Sequence, residues 1–91
     1  MNDLKSEVAT RIINYLAQEL EIDAKIIDLN DSLEKYEDYG LNSIYFVRIV
    51  IELEKMFTIN FEDDYLILEN YKSVNDLVNY ILKKLEDKNG F

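Results

Sequence analysis

The stretch Tyr39-Gly40-Leu41-Asn42-Ser43-Ile44 sets a serine just beyond a glycine turn, at the head of an apolar helical run. A hydroxyl placed there stands beside backbone N–H groups that have no intrahelical partner. Helix N-termini attract anions, so this position suits a group that carries phosphate. A plainer role competes with it, because serines at helix starts commonly serve only as N-caps. Little else in the chain offers chemistry. There is no cysteine and no histidine, which excludes disulfides, thiolate metal sites, cysteine nucleophiles and the commonest general base. Glu62-Asp63-Asp64 lacks the spaced oxygen ligands and the glycine of a calcium loop, and reads as acids at a helix start. No constellation of residues runs a reaction by itself, so the chain is not expected to be an enzyme, and no metal site is expected.

Length and composition bound the rest. Ninety-one residues make one small domain, expected to span 1–91 with a frayed tail at 87–91. Hydrophobic residues at 48% and charged ones at 32% indicate a globular chain. The net charge of −9, from 19 acids against 10 bases, repels nucleic acid and anionic membrane surfaces and steers in a partner with a basic face. It also serves plain solubility. Residues 1–5 turn polar too soon for a signal peptide, and no apolar run reaches membrane-spanning length. A cytoplasmic monomer is the expectation.

The elements that must position Ser43 follow from periodicity. Leu4, Val8, Ile12, Leu16 and Leu20 recur every four residues, with Ala9 and Ile13 beside them, and predict a helix over residues 3–21 capped by Asn2 or Asp3. Residues 22–42 form a long acidic connection carrying Ile22, Ile26, Ile27, Leu29, Leu33 and Tyr36. That many large apolar groups predict a loop pinned to the core, with at most one short helical turn. Ser43–Phe57 is the second helix. Phe46, Ile49, Val50, Leu53 and Phe57 make its core stripe, while Ile44, Val47 and Ile51 lie on a neighbouring face that is either further core or a docking patch. Residues 58–61 form an extended connector seating Ile59 and Phe61. A short third helix is expected over 63–69, with Tyr65, Leu66 and Leu68 inward. Ser73 starts the last helix, with Asp76 as in a capping box, Val74, Leu77, Val78, Ile81, Leu82 and Leu85 inward, and lysines 83, 84 and 88 at its negative end. The sum is an all-α bundle of three main helices and one short helix, with a long ordered loop between the first two.

In that context Gly40-Leu41-Asn42-Ser43-Ile44 resembles the attachment motif of acyl and peptidyl carrier proteins, whose pattern is Gly, an aliphatic residue, Asp, Ser, then Leu or Ile. The resemblance covers nearly the whole chain, including the helix order, the acidic loop and the Ser73-Val74 start of the last helix. It implies that a phosphopantetheinyl transferase attaches 4′-phosphopantetheine to Ser43, and that the arm's thiol holds acyl or aminoacyl groups as thioesters. It implies an adenylating or acyl-loading enzyme and condensing or tailoring enzymes as further partners. By the same resemblance Asn42, Ile44, Val47, Arg48 and Ile51 fall at partner-docking positions. Two departures stand out. Asn42 replaces the usual Asp, and Tyr45 and Arg48 stand where carriers of fatty-acid synthesis commonly show acids. With Tyr39 before the glycine, the stretch looks closer to free-standing carriers of nonribosomal peptide or polyketide assembly. The alternative is an acidic helical adaptor of the same fold with no prosthetic group.

Overall fold

The computed structural model of the protein describes residues 4–88, and these are helices and connections with no strand among them. Three α-helices carry the architecture: α1 (Leu4–Leu20), α2 (Ser43–Phe57) and α3 (Val74–Lys88). The expected start at residue 3 and the caps Asn2 and Asp3 lie outside the described residues. So does the tail beyond Lys88. Asp87 and Lys88 belong to α3, and the Lys88 ammonium reaches the carbonyl of Phe57 at the end of α2. No helix among the described residues is long and apolar enough to cross a membrane.

The apolar stripes meet in one core. Val8, Ile12, Leu16 and Leu20 of α1, Phe46, Ile49, Val50, Leu53 and Phe57 of α2, and Val74, Leu77, Val78 and Ile81 of α3 are all buried. Burying each such side chain is worth about 1.5–3 kcal/mol, far more than helix propensity offers, so packing decides where these helices stand. Arg11 of α1 lies 4.6 Å over the Phe57 ring and ties the far end of α2 to α1. Glu21 and Thr58, both at positive φ, end α1 and α2.

The long connection is pinned, as its apolar residues require, but by two 3₁₀ turns, Ala24–Ile26 and Leu33–Tyr39, where at most one turn was expected. Ile27, Leu33 and Tyr36 are buried, and Ile26 faces solvent. The backbone carbonyls of Asp31 and Leu29 accept from the N–H groups of Val74 and Asn75 at 2.8 and 2.9 Å. The loop therefore satisfies donors that the start of α3 leaves open. Ser73 caps α3 by accepting from the Asp76 N–H, and the Asp76 carboxylate takes the N–H of Lys72, one residue earlier than in a capping box.

The short third helix over 63–69 does not form as one element. It is two 3₁₀ turns, Asp63–Leu66 and Leu68–Asn70, broken at the extended Ile67. In a continuous helix the carbonyls of Asp64 and Tyr65 would accept from the N–H groups of residues 68 and 69. Here the Asn70 side chain donates to the first and the Tyr71 hydroxyl to the second, each at 2.7 Å. Leu68 is buried as expected, Leu66 partly, but Tyr65 is exposed and stacks on Tyr80 at 3.9 Å.

Candidate functional site

A glycine turn brings the loop into α2. Gly40 has φ 101°, a conformation that residues with a Cβ rarely adopt. Its N–H donates to the carbonyl of Glu37, and the Leu41 N–H to that of Tyr36. Leu41 is fully buried and fastens the turn to the core. Asn42 follows in an extended conformation, its side-chain oxygen accepting from the Tyr45 N–H at 2.8 Å and its carbonyl accepting the first helical bond from Phe46.

Asn42 is thus the N-cap, and the plain cap role considered for Ser43 is already filled. Ser43 is the first residue inside α2, exposed, with its hydroxyl free of backbone duty. The N–H groups of Ser43 and Ile44 have no hydrogen-bond partner among the described residues. An exposed hydroxyl beside two free N–H groups at the positive end of a helix fits an attached phosphodiester. Among the described residues no cluster of acids, histidines or cysteines has the geometry of a metal site.

The predicted docking residues surround this point. Ile44 is 78% exposed, and Val47 and Ile51 are exposed too, so none of the three is core. Arg48 is exposed, its guanidinium 5.8 Å from the Tyr45 ring. Tyr45 is held in place, since its hydroxyl donates to the Glu19 carboxylate at 2.7 Å, and that bond comes first among the causes raising the tyrosine's pKa. Tyr39, Gly40, Ile44, Tyr45 and Arg48 border an open groove of about 420 Å³ beside the turn. One neighbour escaped the sequence. Glu69, on the second 3₁₀ turn, accepts a hydrogen bond from Ser43 Oγ across 3.5 Å. The two residues are 26 positions apart, and no local pattern joins them.

Residues 10–81 match the protein family described as the phosphopantetheine attachment site. The chain belongs to that family. It is similar to the acyl carrier protein of Onion yellows phytoplasma (strain OY-M), with 40% identity over 76 residues that cover 84% of this chain and 95% of the relative. The acyl carrier protein of Aster yellows witches'-broom phytoplasma (strain AYWB) is 38% identical over 73 residues, covering 80% and 91%. That of Phytoplasma australiense is 35% identical over 78 residues, covering 86% and 97%. The fold is the carrier-protein helical bundle, the prosthetic group is covalent 4′-phosphopantetheine, and the chain is an acyl carrier and not an enzyme.

Proposed function

We propose that this single carrier domain holds acyl intermediates as thioesters on a phosphopantetheine arm attached to Ser43, as a cytoplasmic monomer serving separate enzymes. The observation that carries the assignment is the division of labour at the head of α2: Asn42 caps the helix and leaves the Ser43 hydroxyl exposed. The arm supplies the thiol that this cysteine-free chain lacks. The chain's own residues present the hydroxyl, hold the turn rigid through Leu41, and offer Asn42, Ile44, Val47, Arg48 and Ile51 to a phosphopantetheinyl transferase and to acyl-loading, condensing and tailoring enzymes.

Service in nonribosomal peptide or polyketide assembly is a narrower reading, resting on Tyr39, Tyr45 and Arg48 beside the site. The names of the matched relatives favour an acyl cargo over an aminoacyl one. Incubation with a broad-specificity transferase and coenzyme A tests the attachment by mass spectrometry. The wild type should gain one phosphopantetheine and Ser43→Ala none. An equal gain on both would place the arm elsewhere, and no gain on either would leave the adaptor role.

A further inference from the structure

We propose that the open groove beside the Gly40 turn is the first part of a furrow, running between α1 and α2, in which the phosphopantetheine arm rests while no partner enzyme holds it. The proposal rests on Ser43 as the attachment point. Asn42 and Ile44, the residues on either side of the serine, border the groove, so an arm tied to Ser43 starts at its edge. A second concavity of about 290 Å³ continues it, reaching Tyr15 on α1 and Ile49 and Glu52 on α2. The two share Glu19, Tyr45 and Arg48. Together they follow α2 from Ile44 to Glu52, about 12 Å of helix at 1.5 Å per residue.

The chemistry of the furrow matches that of the arm. Beyond its phosphate the arm is a neutral chain of a dimethyl carbon, a hydroxyl, two amides and a thiol. Ile44 offers exposed apolar surface where the arm begins. The Tyr45 ring is a fixed wall, because its hydroxyl donates to the Glu19 carboxylate at 2.7 Å. Arg48 forms no ion pair among the described residues, so its guanidinium is open to the phosphodiester or to an amide carbonyl. The Glu19 and Glu52 carboxylates can accept from amide N–H groups, and a neutral chain is not repelled by them. The flank of Ser43 outside the furrow holds the Glu69 carboxylate, whose charge disfavours a phosphodiester there.

Weak contacts suffice, because the arm is tethered. A short flexible tether sets an effective concentration on the order of 1 mM, so a furrow with a Kd of that size is filled about half the time. Ile44 and Arg48 also stand among the docking positions. An enzyme that covers them displaces the arm, so docking itself frees the thiol for reaction.

The test uses the loaded full chain. It has no cysteine, so the arm's thiol is the one thiol present and takes a maleimide nitroxide at a single place. Amide spectra are recorded with the nitroxide oxidised and then reduced. We expect the signals of Tyr15, Glu19 and Glu52 to be lost in the oxidised sample and recovered on reduction, while those of Ile67, Glu69 and Asn70 persist. Arg48→Glu, an exposed substitution, should load, as its mass shows, and keep the furrow signals in the oxidised sample. Loss centred on residues 67–70 overturns the proposal by placing the arm on the other flank. Weak, even attenuation over both flanks overturns it too, since the arm is then free in solvent. In both cases the mass gain leaves the attachment at Ser43 standing. No mass gain in the wild type removes the attachment, and the furrow's role with it.

Discussion

Asn42 Oδ1 accepts from the Tyr45 N–H at 2.8 Å, and this one bond makes Ser43 a helical residue instead of a cap. An exposed N-cap of this kind is worth about 1 kcal/mol against alanine. Asn42→Ala should therefore lower the urea-unfolding free energy by about that amount. Asn42→Asp keeps the acceptor and adds a charge at the positive end of α2, and should match or exceed the wild type by a few tenths of a kcal/mol, more at low salt. Equal stability of Asn42→Ala and wild type would mean that the cap carries nothing.

Gly40 separates backbone strain from steric clash. A Cβ built there would meet nothing within 4 Å, yet φ is 101°. Gly40→Ala should cost about 1–2 kcal/mol through the backbone alone. Gly40→Asn should cost less, because asparagine tolerates left-handed conformations. Thermal melts of the three proteins check the order, and loading of Ser43 should slow along the same series as the turn shifts.

The helical frame was legible because its energetics are local and periodic. The stripes of α1, α2 and α3 each follow a 3.6-residue repeat, and every residue assigned to the α2 stripe is buried. The turn was legible because Gly40 is the one internal glycine, and its φ of 101° favours a residue without a Cβ. The third helix was not legible, since its break depends on Asn70 and Tyr71 taking the carbonyls of Asp64 and Tyr65. That competition involves side chains that no propensity scale counts. Tyr65 reads as an inward residue by spacing, and Tyr80 captures it as a stacking partner from another helix. Glu69 was hidden for the same reason, because its partner at the site comes from tertiary packing.

Tyr36 and Asp31 predict how stability varies with pH. The Tyr36 hydroxyl donates to the Asp31 carboxylate at 2.5 Å, and the Asp28 N–H donates to that hydroxyl. Burial first, then the bond to Asp31, pushes the Tyr36 pKa up to about 12. A folded-state value above the unfolded one near 10 gives stability that is whole below pH ~10 and drains as pH climbs towards ~12. The Asp31 carboxyl is held below its usual range, first by Tyr36 and then by Lys35. Its share is present above the unfolded value near 3.9 and is lost as pH falls through the lower folded value. Tyr36→Phe should cost about 1–3 kcal/mol at neutral pH and shallow both limbs of the urea-midpoint profile. Buried Tyr71 and half-buried Tyr15, both also raised, will keep part of the alkaline limb. Unaltered slopes at both ends would show that the pair contributes no linkage.

Ile44 and Arg48 separate docking from folding. Ile44 is 78% exposed, so Ile44→Ala should change stability by no more than about 0.5 kcal/mol. If Ile44 is the apolar contact beside the loading point, the same substitution should raise the transferase KM for the carrier while leaving kcat unchanged. Arg48 is the charged residue among the apolar Ile44, Val47 and Ile51, and Arg48→Glu takes the net charge from −9 to −11 by replacing one positive charge with one negative. A partner with a basic docking surface should then associate faster at low salt, and the gain should fade as ionic strength rises towards ~0.15 M. A partner that uses a carboxylate against Arg48 should respond the other way, with weaker binding at every salt concentration. Measuring association rates for Arg48→Glu with each enzyme that handles the arm therefore sorts them by the sign of the surface they bring to α2.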